Sequence, residues 1–201
     1  MNVIRSSLIY SLFTSISRVF GFLRDILIAN FLGTGVIADI FFVAFRLPNT
    51  FRRIFSEGAL NSAFVPIYTK LIKDNLRHES KKFSGSIFLI FLVASSLVVL
   101  IIEVFMPTFV SILAPGFTND NDKFNELVAV SRIIFPFLIL ISISSIFSSI
   151  LNSHNKFALS AALPIILNIT LIIALITAAY TASDFLTFLS WSVIVAGLLQ
   201  I

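Results

Sequence analysis

The chain reads as an all-α polytopic membrane helix bundle of about six transmembrane helices. Three observations point there. First, 58% of its 201 residues are hydrophobic and only 12% are charged, with a mean hydropathy of +1.03; soluble domains carry about 25% charged residues. Second, the apolar residues fall in segments long enough to cross a bilayer, which takes about 20 residues of helix. Third, the basic residues alternate between the loops.

The segments are taken in order. The first runs from about residue 3 to 32, the second 36–68, the third 83–110, the fourth 127–151, the fifth 157–181 and the sixth 185–201. Arg5 followed by the apolar run Leu8–Ile16 mimics a secretion signal. No small-x-small cleavage site follows, so it is taken as a retained first helix. The second segment, at about 1.5 Å per residue, would be roughly 50 Å long against a hydrocarbon core of about 30 Å. A bend near Pro48 or a projecting end is expected, because proline removes a backbone donor. The sixth segment is uncharged up to Ile201, which reads as a span interrupted within a longer protein.

The loops set the orientation. Residues 70–82 (KLIKDNLRHESKK) hold five basic residues against two acids, and Lys156 and Arg5 flank other inner ends. Residues 114–126 hold one lysine and three acids. Lys/Arg excess marks the cytoplasmic side, so the N-terminus is placed in the cytoplasm.

No cysteine is present and both histidines, His78 and His154, fall in loops. Thiolate and His-based metal centres are therefore not expected. There is no phosphate-binding loop of the Walker type, no Ser/His/Asp set and no aromatic-plus-basic surface for nucleic acid. Nothing points to an enzyme, and no cofactor is implied by the residues.

The charged residues of the first two segments are the functional signal. A charge at the bilayer centre costs about 2.5–3.5 kcal/mol on insertion scales, so intramembrane charges mark ligand paths by default. In the first helix, Ser7, Ser11, Thr14, Arg18, Gly21 and Asp25 form one polar row, with Ser17 and Arg24 beside it. The small residues also suit close helix packing. Arg18 and Arg24 either line a cavity or form structural ion pairs with Asp25 or Asp39. In the second segment Asp39, Arg46 and Arg53 are seven apart and share a face. Arg53 and Glu57 are four apart and can pair, leaving Arg52 free. Arg46 either lines the cavity or satisfies carbonyls at a helix break. Asn168, beside Pro164, is a further cavity candidate or a bridge between helices. The serines of the fourth segment are read as packing and helix-to-helix hydrogen bonds, and Glu103 with Arg132 as a structural pair.

Residues 1–68 hold six arginines and three acids. Arginine stays charged and grips phosphate oxygens two at a time. A cation transporter would lean on intramembrane Asp/Glu instead. The chemistry expected is therefore an anionic, phosphorylated substrate, plausibly an amphiphile.

These same residues carry a family resemblance. SRVFGFLRDILIANFLGTGVIADIFFVAFRLPNTFRRIFSEGALNSAFVPIY (17–68), APGF (114–117), FPFLILIS (135–142) and ILNSHNKFALSAALPIILNI (150–169) resemble the MurJ/MviN lipid II flippases of peptidoglycan synthesis. The resemblance covers the whole chain but only the N-terminal lobe of such proteins. It implies the architecture of the multidrug/oligosaccharidyl-lipid/polysaccharide (MOP) exporters: two six-helix lobes around a central cavity, working by alternating access. It implies cavity roles for Ser17, Arg18, Arg24, Arg52 and Arg53 toward the lipid-linked diphosphate, and charge-pairing or gating roles for Asp25, Asp39 and Glu57. The implied location is a bacterial inner (cytoplasmic) membrane. The implied partners are lipid II, membrane lipids, and a separate C-terminal lobe or cell-wall synthesis proteins. Any coupling to a cation or membrane potential would lie in that other lobe. The competing readings are a MOP-type exporter of other lipid-linked glycans or drugs, and a truncated, non-transporting assembly module.

Overall fold

The structure is a computed structural model describing residues 3–33, 35–52, 60, 62–181 and 184–201. Side chains are described from residue 8 onward, except those of Leu47 and Arg52. Among the described residues all regular structure is helical: α1 (Val3–Leu32), α2 (Val36–Arg52), α3 (Val65–Lys73), α4 (Arg77–Val104), α5 (Met106–Leu113), α6 (Asn121–Ile134), α7 (Phe137–Ser153), α8 (Phe157–Thr181) and α9 (Phe185–Leu199). A short 3₁₀ turn, Pro115–Phe117, joins α5 to α6.

Three spans, Arg77–Val104, Asn121–Ser153 and Phe157–Thr181, are long and apolar enough to cross a membrane, with Phe185–Leu199 a shorter apolar helix. α1, at 30 residues, also exceeds the roughly 20 that a bilayer core needs. The chain is an integral membrane protein.

Helix ends depart from the apolar spans in ways that polar chemistry explains. α4 begins at Arg77 rather than Phe83, because a helix end in polar surroundings carries charged residues readily. α3 likewise continues to Lys73, so the basic stretch 70–82 is mostly helical rather than a loop. The third span is cut in two at Phe105, just before Pro107 in the first turn of α5, the position proline tolerates best. The fourth starts at Asn121 and breaks at Phe135–Pro136. Pro48 and Pro164, by contrast, sit inside α2 and α8 without ending them. Residues 53–59 and 61 of the 36–68 span lie outside the described residues; its described parts include α2 and the start of α3.

α7 is central and α4 peripheral: 56% of the most apolar window of α6–α7 is buried, against 11% for α4. The core joins Ile28 of α1, Phe41 and Phe45 of α2, Leu127 and Ile134 of α6, Phe137 and Leu138 of α7, Leu171 of α8 and Leu189 of α9. A second cluster, Leu60, Phe64, Tyr68 and Ile146, ties α3 to α7. α1 packs chiefly along α8 and has little contact with α2. Phe31 stacks on Phe185 at 5.9 Å, which puts the α1–α2 and α8–α9 turns at one end. The Tyr68 ring lies 6.0 Å from His154, which puts the α7–α8 turn beside α3.

The α7 serines mostly turn inward on their own helix. Ser142, Ser145 and Ser149 donate to carbonyls four residues back, at 2.7, 2.7 and 2.9 Å. Only Ser144 of this group crosses to another helix, donating to the Gln200 carbonyl at 3.0 Å. Among the described residues Glu103 and Arg132 make no ion pair within 4 Å, although the Arg132 charge acts on Glu103; one carboxylate oxygen of Glu103 is buried with no hydrogen-bond partner.

Asp184 caps α9. Its carboxylate accepts from the Leu186 and Thr187 amides at 3.1 and 3.2 Å and from the Thr187 hydroxyl at 2.6 Å. The Thr187 hydroxyl first, then the amides, hold its pKa below the usual carboxylate value. Such a group contributes stability above its ordinary pKa and loses it as pH falls through the lowered one. Asp184→Ala should therefore cost about 1 kcal/mol at neutral pH. Thermal unfolding in detergent should show the gap between variant and parent closing as pH falls below about 4.

Candidate functional site

The site is built where α1 meets α8. A cavity of about 710 Å³ is lined by Gly21 and Arg24 of α1, by Phe41, Phe42, Phe45, Arg46, Asn49 and Thr50 of α2, and by Pro164, Leu167 and Asn168 of α8. Among the described residues its lining contains two arginines, two asparagines and a threonine, and no acid.

Arg24 is held from two sides. Its Nε and one Nη donate to the same Asp25 oxygen at 3.0 and 2.7 Å. The other Nη donates to Asn168 Oδ1 at 2.9 Å. Asn168 in turn donates through Nδ2 to the Ser17 carbonyl at 3.1 Å. A guanidinium has five N–H groups. Three are engaged here, which leaves two, one on each terminal nitrogen. The side chain is 19% exposed and Asp25 54%, so the acid faces outward while the arginine faces the cavity. Gly21 faces this pair, and a Cβ there would sit in ordinary van der Waals contact with Asn168 Nδ2 at 3.5 Å.

Arg46 projects into the same cavity, exposed and without an ion pair among the described residues. It is near Pro48, but no hydrogen bond from its side chain to a backbone carbonyl is made there; the Thr50 hydroxyl instead donates to the Arg46 carbonyl at 2.9 Å. The cavity alternative for Arg46 is the one its geometry supports.

The structure brings together Arg24, Asp25, Asn168 and Arg46, with Ser17 contributing its carbonyl. It does not bring Arg18 or Asp39 to the cavity lining; both are exposed. Arg53 and Glu57, and the side chain of Arg52, lie outside the described residues. Among the described residues no group of three or more His, Cys, Asp or Glu could hold a metal ion. Asn49 and Thr50 were missed from sequence. An amide beside a proline within an apolar helix was signal enough, the same one that singled out Asn168.

Among the described residues the arrangement is rich in donors and positively charged, in an open cavity whose Arg46 and Thr50 are exposed. It suits anionic oxygens, which accept charge-assisted hydrogen bonds from arginine.

Comparison with known proteins points the same way. The family model described as "Lipid II flippase MurJ" matches residues 28–201. The chain is 44% identical over 189 residues to a probable lipid II flippase MurJ of Rhizobium tropici, covering 92% of this chain and 36% of that protein. It is 35% identical over 201 residues to the lipid II flippase MurJ of Burkholderia cenocepacia, covering 100% and 39%. A solved structure, lipid II flippase MurJ in an inward closed conformation, superposes with a TM-score of 0.74 at 28% identity, over 96% of this chain and 40% of that one. The chain thus spans somewhat over a third of the length of these relatives.

Proposed function

The chain belongs to the MurJ family, and from that premise we propose that it forms the arginine-bearing wall of a path carrying lipid II from the cytoplasmic to the outer leaflet. The observation that carries this reading is Arg24, fixed by Asp25 and Asn168 with two N–H groups to spare, on a cavity whose described lining holds no acid. A diphosphate placed there would be gripped by a preset fork, with Arg46 as a second cation. Asp25 and Asn168 serve to orient the guanidinium, so that little side-chain freedom is lost on binding. The same lining argues against cationic drugs as cargo, because both charged groups in it are positive.

Arg18, Arg52 and Arg53 join this reading as further contacts to the diphosphate, and Asp39 and Glu57 as gating acids, on the strength of the family resemblance. Alternating access rocks one half of a transporter against another; the facing half would correspond to the remaining length of the relatives. The Lys/Arg bias of α3, α4 and the α7–α8 turn supports a cytoplasmic position for that end, with the N-terminus on the same side of a bacterial inner membrane.

The test is binding to the chain in lipid nanodiscs, read by native mass spectrometry. Lipid II and undecaprenyl diphosphate should both bind, and undecaprenol, which lacks the diphosphate, at least about tenfold more weakly. Equal binding of undecaprenol would contradict the reading.

A further inference from the structure

A second chamber of about 110 Å³ lies beside the main cavity, lined in part by Asn49, Ser144, Ser145, Ser148, Ser160 and Gln200. Asn49, Pro164 and Leu167 line both spaces, so the two are neighbours across a shared wall. Among the described residues no charged side chain lines the chamber.

Its hydrogen-bond balance leans toward acceptors: three of its four serine hydroxyls give their protons to the protein, while Ser148 and the Asn49 amide have no acceptor among the described residues. The Ser144 hydroxyl donates to the Gln200 carbonyl at 3.0 Å and that of Ser145 to the Ile141 carbonyl at 2.7 Å. The Ser160 hydroxyl donates to Asn152 Oδ1 at 2.6 Å. These hydroxyl protons are spent on the protein, and their lone pairs remain. Gln200 donates through Nε2 to the Leu163 carbonyl at 3.0 Å. Its Oε1, in a residue only 6% exposed, has no partner among the described residues. A buried acceptor left without a donor keeps its desolvation penalty uncompensated. The chamber therefore calls for a neutral group that donates.

We propose that this chamber is an acceptor-rich subsite taking the hydroxyl or amide N–H groups of the head that follows the diphosphate. The proposal rests on the reading of the main cavity as a site for a diphosphate lipid. In that arrangement the anionic part meets the arginines and the neutral polar part meets Gln200 and the serines. The division sets the register of the head in the cavity and favours glycosylated over bare lipid diphosphates.

The experiment compares three lipids on the chain in nanodiscs: undecaprenyl diphosphate, the same lipid carrying one N-acetylglucosamine, and lipid II. The parent chain should bind lipid II at least tenfold more tightly than the bare diphosphate. Gln200→Leu, and independently Ser148→Leu, which fills the chamber, should erase most of that gain while leaving affinity for the bare diphosphate within about twofold. That retained affinity shows that the variants fold. Loss of the gain on the monosaccharide lipid as well assigns the contacts to sugar hydroxyls; loss confined to lipid II assigns them to peptide amides, and both support the subsite. An undiminished gain in both variants would overturn it, as would a parent chain that binds the glycosylated and bare lipids equally. Those two results leave the diphosphate reading standing, whereas binding of none of the three lipids removes both.

Discussion

Arg24→Ala should weaken binding of lipid diphosphates by about 100-fold. Net, a hydrogen bond to a charged group contributes about 1.5–3 kcal/mol, and each 1.4 kcal/mol is a factor of ten. Two free N–H groups on a fixed guanidinium would supply at least that much. Arg24→Lys keeps the charge but not the planar fork, and cannot hold Asp25 and Asn168 while also reaching a ligand. It should recover no more than about tenfold of the loss. Asn168→Leu removes one of the two anchors and leaves the Asp25 contacts, so its loss should be a few-fold. Titration of each variant with undecaprenyl diphosphate checks the order. Equal losses for Asn168→Leu and Arg24→Ala would mean that the effect is on folding, not on the fork.

The second large effect is structural. A Cβ on Gly197 would lie 2.8 Å from Leu140 Cδ1 and Phe137 Cδ2 and 3.0 Å from Leu140 Cβ. A leucine methyl can rotate aside. Its Cβ cannot, and Phe137 is fully buried. Overpacking of this kind costs about 1–3 kcal/mol, and the branched side chain of Gly197→Val belongs at the upper end. For a chain of this size that is a fall in melting temperature of about 2–4 °C per kcal/mol. α9 would be levered off α7, carrying Gln200 away from Ser144. Gly85 is the control, with nothing within 4 Å of its Cβ position. Gly85→Ala should be neutral or stabilising, since alanine is the better helix former by about 1 kcal/mol. Thermal unfolding of both variants in detergent separates steric from propensity effects.

The all-α membrane architecture was readable because bilayer length and apolar composition leave few alternatives. The charged row on α1 was readable because helical spacing puts Arg18, Gly21 and Asp25 on one face. Spacing within a helix cannot say what that face meets. Asn168 reaches Arg24 from 144 residues away, and α1 lies on α8 rather than on α2, its neighbour in sequence. For the same reason Arg18 and Arg24 could not be told apart, although one is exposed and the other lines the cavity. The Gln200 chamber was invisible for a different reason. Serines at packing distance look alike whether their hydroxyl protons go to their own helix or to a ligand. Only the geometry shows where the protons are spent.

The central claim is that Arg24 and Arg46 face a water-accessible cavity inside a membrane-embedded bundle. The chain has no cysteine, so a single introduced thiol reports without background. Thr50→Cys, on the cavity wall, should react with a charged, membrane-impermeant maleimide in vesicles, and lipid II should protect it. Ile173→Cys, on the apolar outer face of α8, should react slowly with or without lipid II. A Thr50→Cys thiol as unreactive as that at residue 173, or one that lipid II leaves unprotected, would contradict the account.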